Sequence, residues 1–168
     1  MVATGPRRAR GERDGASDML SDLLDEGFVQ LGVEASDWED AVTKATRPLL
    51  DAKKITPDYV EDIIAGVKDL GPYIVIAPHV ALPHARPECG ALESAVGVVT
   101  LKEPVEFGSA NDPVRYLFPL SATDDDGHLG ALQSLVEILS DADFFAQLDR
   151  AKTSAEVVEL VKSKEGRL

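Results

Sequence analysis

Cysteine, basic charge, long apolar runs and internal repeats are what this chain lacks, and each lack removes a class of function. A single cysteine, Cys89, has no partner for an intramolecular disulfide and points to a reducing, cytoplasmic setting. A net charge of −13 argues against nucleic acid, whose phosphates need a basic surface, and leaves a basic protein partner open. No apolar run is long enough to span a bilayer, so a membrane role would have to come through a partner rather than by direct insertion. The opening MVATGPRRARGERDG has arginines but no apolar stretch behind them, which does not fit a secretory signal. No repeat of fixed period is visible.

What is present reads as one ordinary globular domain. The 168 residues, 44% hydrophobic and 28% charged, can bury a sizeable core. Residues 1–17 show no apolar period and are expected to form a disordered tail, with residues 18–168 as the folded domain. Arg7, Arg8, Arg10 and Arg13 are read as solvated tail residues.

Along the chain, Met19, Leu20, Leu23 and Leu24 have helical spacing, and Phe28 to Val33 alternates like a strand. Ser36 with Glu39 reads as a capping box opening a helix through Trp38, Ala41, Val42, Ala45 and Leu49. Pro48 is expected to kink or interrupt that helix near residues 44–47. Thr56-Pro57 opens the next helix and Gly71-Pro72 closes it. Strands are predicted at 73–77, 95–101 and 114–120, the second nearly continuous in apolar residues, as for a strand covered on both faces. Pro104 to Phe107 reads as a separate extended piece, and Pro119 as a strand end or edge. A helix is expected to begin at His128, with Leu129, Leu132, Leu135, Val136 and Leu139 on its apolar face. Thr153 and Glu156 form a second capping box before a last helix. The pattern predicts a three-layer α/β sandwich, a mixed sheet flanked by helices on both faces.

The stretch Tyr73 to Glu93, YIVIAPHVALPHARPECGALE, organises the rest. Pro78, Pro83 and Pro87 each lack an amide donor and fix φ, so a stiff, non-regular loop is expected after the first strand. It carries His79, His84 and Arg86. A histidine held on a rigid loop can present a neutral ring nitrogen as nucleophile, and a nearby arginine can bond two phosphate oxygens at once. On the residues alone, the bland alternatives of a surface histidine and a solvated arginine stay open. His128, at a predicted helix start, would lie where free amides attract anions. His79 and His84 are five apart and His128 is distant, which is no zinc spacing, so no metal is expected.

The run APHVALPHARPE, residues 77–88, resembles the phosphorylation-site signature of the mannitol/fructose-type enzyme IIA family of the bacterial phosphoenolpyruvate-dependent sugar phosphotransferase system. Its ending PHARPE is most similar to the ascorbate-type branch. The resemblance implies that His84 accepts a phosphoryl group from HPr and passes it to a cysteine of enzyme IIB, which serves a membrane permease, IIC. It implies that His128 faces the acceptor as a hydrogen-bond donor and that Arg86 clamps the phosphate, with no cofactor. His79 departs from the branch's usual glycine and is assigned to phosphate binding as a second proton donor, or only tolerated exposure. A regulatory phosphohistidine module, signalling to a protein partner without feeding transport, is the alternative, and a homodimer is left open.

Overall fold

The computed structural model describes residues 20–165. The expected tail, residues 1–17, lies outside the described residues, as does Met19. Helix α1 is one turn, Leu20–Leu23, and β1 runs from Leu24–Val33, so the strand begins four residues before Phe28 and passes through Gly27. The helical spacing of Leu20, Leu23 and Leu24 therefore overstated the helix. The Glu165 carboxylate caps this start by accepting from the amides of Leu20 and Ser21.

Helix α2, Trp38–Asp51, is capped by Asp37, whose carboxylate accepts from the Asp40 amide at 2.8 Å. The Asp40 carboxylate accepts in return from the Ser36 amide at 2.9 Å, so the capping arrangement exists but not as the Ser36–Glu39 pair. Pro48 does not interrupt α2 either. The carbonyl deprived of its partner by a proline lies four residues back, at Lys44, and the Gln30 side-chain amide donates to it at 2.8 Å. Helix α3, Pro57–Leu70, starts at the expected Thr56-Pro57, with proline supplying the stiff first position and no hydrogen bond from the Thr56 side chain.

The expected strand at 73–77 followed by a loop is instead a hairpin of β2, Val75–Ala77, and β3, Val80–Ala81, turning at Pro78-His79. His79 takes the left-handed conformation at φ 70°, which is uncommon for a residue other than glycine but which histidine adopts more readily than most. Strand β4, Ala95–Val105, is longer than 95–101 and absorbs Pro104; β5 is Val114–Leu117 and β6 is Leu120–Ser121, with Phe118-Pro119 between them.

The sheet order is β1-β4-β5-β3-β2, with β6 also paired to β4. It is mixed: β1–β4 and β3–β5 are parallel, whereas β4–β5, β2–β3 and β4–β6 are antiparallel. Seven consecutive residues of β4, Ala95 to Leu101, are buried, which identifies it as the core strand covered on both faces. Strand β2 lies at the sheet's edge rather than its centre, and Ile76 is 40% exposed.

Helices α4 (Asp125–Leu139), α5 (Ala142–Arg150) and α6 (Ser154–Glu165) complete the fold. Helix α2 packs on β4 and β1 and against α3; α6 packs on β1 and gathers α1, α4 and α5 around it. The Thr153–Glu156 box opens α6 as expected, the Glu156 amide donating to Thr153 Oγ1 at 3.2 Å. Helix α4 differs from the sequence reading. It buries Ala131, Leu135 and Ile138, while Leu129 and Val136 are 56% and 49% exposed. The core-facing side is rotated from the expected one: it keeps Leu135 and adds Ala131 and Ile138, while Leu132 and Leu139 pack on its margin and Leu129 and Val136 are left outside.

Candidate functional site

The chain leaves the sheet at Pro83, and His84 is held from several directions at that departure point. The Leu82 amide donates to Ile74 O at 2.7 Å and the Leu120 amide to Pro83 O at 3.0 Å, so the backbone up to His84 is still tied to the strands. The Tyr59 hydroxyl, buried under the loop, donates to Leu120 O at 2.8 Å and accepts from the Ala85 amide at 3.1 Å. The Tyr73 hydroxyl donates to His84 O at 2.9 Å. Beyond, Pro87–Cys89 forms a 3-10 turn whose closing Gly90, at φ 131°, sits against α3. A Cβ on Gly90 would come within 2.1 Å of Thr56 Oγ1, so only glycine lets the loop seat there.

The His84 ring is half-buried. Its Nδ1 lies 2.5 Å from the Leu82 carbonyl, an acceptor only, so Nδ1 carries the proton and Nε2 keeps its lone pair. Burial pushes the pKa of His84 below the ordinary imidazole value, and His128 adds to the lowering, against the opposing pull of the Leu82 carbonyl. Burial and the neighbouring His128 thus favour the neutral ring.

The ring of His128 lies 5.4 Å from that of His84, centroid to centroid. Helix α4 begins at Asp125 rather than His128, with the Asp124 carboxylate capping the Gly127 amide at 2.6 Å. The His128 amide is bonded to Asp124 O at 3.0 Å, so the unpaired amides of this terminus belong to Asp125 and Asp126, not to His128. What His128 offers is its ring: Nδ1 is buried without a hydrogen-bond partner.

Two clefts meet at His84. One, of about 670 Å³ and the more polar of the two, brings together His84, His128, Arg86, Asp62, Asp69 and Asp125. The other, of about 450 Å³, is apolar, lined by Ile76, Leu82, Leu132, Val136 and Leu139. Tyr73 lines both. Arg86 is exposed in the polar cleft and, among the described residues, has no carboxylate partner. Cys89 is in the same cleft; burial and then Asp62 push its thiol up, away from the reactive thiolate.

His79 is not brought to this site. Its ring nitrogen Nδ1 donates to Pro113 O at 2.8 Å, and its amide donates to Asn111 O at 2.9 Å, so it pins the hairpin to the 108–113 turn. Among the described residues, no three His, Cys, Asp or Glu side chains cluster as metal ligands. Nor is any helix there long and apolar enough to cross a membrane. Tyr59 and Tyr73 escaped the sequence reading. Tyr59 has the spacing of a core residue and meets Leu120 across 61 positions, which no local pattern reveals.

Residues 22–164 match the family described as the phosphoenolpyruvate-dependent sugar phosphotransferase system, EIIA 2. The mannitol-specific cryptic phosphotransferase enzyme IIA component of Escherichia coli (strain K12) is 36% identical over 142 residues, 84% of this chain and 97% of that protein. The ascorbate-specific PTS system EIIA component of the same strain is 37% identical, over 83% of this chain and 92% of that protein. The solution structure of the E. coli mannitol-specific cryptic enzyme IIA superposes with a TM-score of 0.79 at 35% identity, covering 86% of this chain and 99% of that one. An E. coli complex of mannitol enzyme IIA with phosphorylated enzyme IIB is also similar, with a TM-score of 0.73 at 25% identity, over 84% of this chain and 99% of that one. A mixed sheet flanked by helices, a PHARPE loop at its edge and these likenesses agree: the chain belongs to the EIIA 2 family of sugar phosphotransferase system components.

Proposed function

We propose that this protein is a phosphocarrier whose acceptor atom is Nε2 of His84. The phosphoryl group comes from the phosphohistidine of HPr and leaves to a cysteine of enzyme IIB. The transfer serves uptake of a sugar of ascorbate or mannitol/fructose type through the permease IIC, from the cytoplasmic side. One observation carries the reading: the bond from Nδ1 to Leu82 O leaves Nε2 as the free lone pair of a neutral ring.

The chemistry balances without an added acid or base. The P–N bond of the donor breaks as the P–Nε2 bond forms, and Nε2 has no proton to shed. Onward transfer to a cysteine thiolate breaks P–Nε2, forms P–S and returns His84 to its neutral state. Catalysis is then positioning and charge stabilisation. His128 is assigned the hydrogen bond to the phosphoryl group, Arg86 a bidentate contact with its oxygens, and the amides of Asp125 and Asp126 a weaker share. His79, committed to Pro113, is assigned to structure rather than phosphate. The apolar cleft and the exposed Leu129 and Val136 give protein partners a face to dock on beside the acceptor. The aspartates of the polar cleft favour partners with basic contact surfaces.

Labelled phosphoenolpyruvate with enzyme I and HPr tests the proposal. Label is expected on the parent and absent from His84→Ala, and is expected to move on when an enzyme IIB is added. Label on His84→Ala at the parent's rate would refute the assignment. Label that stays on the protein with every cognate IIB tried would favour a regulatory role.

A further inference from the structure

Tyr73 is the aromatic side chain that faces both clefts, and the transfer chemistry above makes no use of it. Its hydroxyl donates to the carbonyl of His84 itself, and its ring meets the His84 ring edge-on at 5.7 Å and 74°. The same imidazole also neighbours the His128 ring, at 5.4 Å. Tyr73 is seated by a gap in α3: a Cβ on Gly66 would come within 3.1 Å of its Cε1 and 3.2 Å of its Oη. The tyrosine is nevertheless 40% exposed and precedes the edge strand, so it is not held there by core packing.

Resting on the reading that His84 carries the phosphoryl group, we propose that Tyr73 is a positioning residue for that transfer. Its ring walls the imidazole on one side and its hydroxyl anchors the backbone that bears it. The two parts act separately. The hydroxyl fixes the His84 carbonyl, hence the direction in which Cβ leaves the loop. The ring excludes water from one side of the imidazole, and burial is the first cause of the lowered His84 pKa. The other charged and titratable groups that line the cleft with His84 are His128 and Asp125 on α4, Asp62 and Asp69 on α3, and Arg86, Glu88 and Cys89 in the loop. None is altered by a substitution at Tyr73, so a shift in the imidazole titration reports the wall.

The test compares Tyr73→Phe and Tyr73→Ala with the parent and with His84→Ala, all checked for folding by their amide NMR spectra. Two quantities are read: the His84 titration midpoint from its ring resonances, and kcat and KM for phosphoryl uptake from phospho-HPr. Tyr73→Ala is expected to raise the midpoint toward the ordinary imidazole value and to lower kcat about tenfold. Tyr73→Phe keeps the wall and is expected to hold the parent's midpoint, with kcat lowered about threefold by loss of the anchor. A Tyr73→Ala protein with the parent's midpoint and kcat overturns the proposal, and so does one changed in KM alone, which would make Tyr73 a docking side chain. Those failures leave the phosphocarrier reading standing as long as His84→Ala takes up no label. Label on His84→Ala would instead remove that reading.

Discussion

Replacing Tyr59 by phenylalanine isolates the joint that holds the histidine loop to the sheet. The ring is 1% exposed and would stay buried, so the apolar contribution is unchanged and only the hydroxyl is lost. That hydroxyl donates to Leu120 O at 2.8 Å and accepts from the Ala85 amide at 3.1 Å. Its removal leaves the buried Leu120 carbonyl without this donor, at a cost of roughly 1–3 kcal/mol, and takes away the hydrogen bond to the part-buried Ala85 amide, about 1 kcal/mol. A total near 3 kcal/mol shifts the melting temperature of a domain this size by about 6–12 °C. Urea unfolding should show a lower midpoint at unchanged slope. The alkaline limb gives an independent check. Burial raises the Tyr59 hydroxyl from 10.0 to about 12. A raised folded-state value means that this stability is complete below the unfolded pKa of 10.0 and is lost as pH rises through about 12. The phenylalanine variant should therefore lose less stability over that window than the parent. Because Ala85 directly follows the acceptor, label uptake should also slow. A stability loss under about 0.5 kcal/mol with unchanged uptake would refute the idea that this hydroxyl anchors the loop.

Further expectations follow from the same geometry. His128→Ala removes the proposed phosphoryl donor and should slow label uptake about 10- to 100-fold; it should also raise the His84 midpoint, since His128 contributes to its lowering. Uptake within twofold of the parent would exclude His128 from the transfer. Uptake against pH should stay flat above the ordinary imidazole pKa and fall only below it. The same depressed value makes His84's contribution to stability complete above the unfolded pKa and lost as pH falls through the folded one; NMR titration alongside unfolding curves measures both. His79→Ala should cost about 1–2 kcal/mol, losing the bond to Pro113 while keeping a left-handed φ, whereas His79→Gly should cost less. Both should take up label within about twofold of the parent, and a tenfold loss would return His79 to the site.

The elements with a strong period were legible from sequence: β4 from its run of apolar residues, α2 from its stripe, α3 from its stripe and the Thr56-Pro57 start, and α6 from its Thr153 cap. Misreadings arose where two local rules competed or where a distant partner decided. Ser36 and Asp37 are both good caps one residue apart, and only the folded chain selects Asp37. Pro48 was expected to kink or interrupt α2, but the helix runs on to Asp51 and Gln30, on another element, supplies the missing donor. Two-residue strands between prolines carry no periodic signal, so the hairpin was invisible. On α4, apolar residues occur on more than one face, so periodicity picked Leu135 correctly but could not tell that Ala131 and Ile138 would be buried while Leu129 and Val136 stay exposed. That His84, His128 and Arg86 share one cleft agrees with their expected grouping, whereas the placement of Tyr59 and Tyr73 beside them depends on contacts between distant segments that no local pattern reveals.

Strand β2 has a last consequence. It is three residues long, enclosed by Pro72 and Pro78, and forms the border of the sheet on the side where the apolar cleft opens. A visiting chain seeking to extend the sheet by backbone pairing would find too few amides to grip. A protein docking at this end would have to be read through the shapes and charges of its side chains, an arrangement suited to the brief contacts that the proposed phosphoryl relay requires.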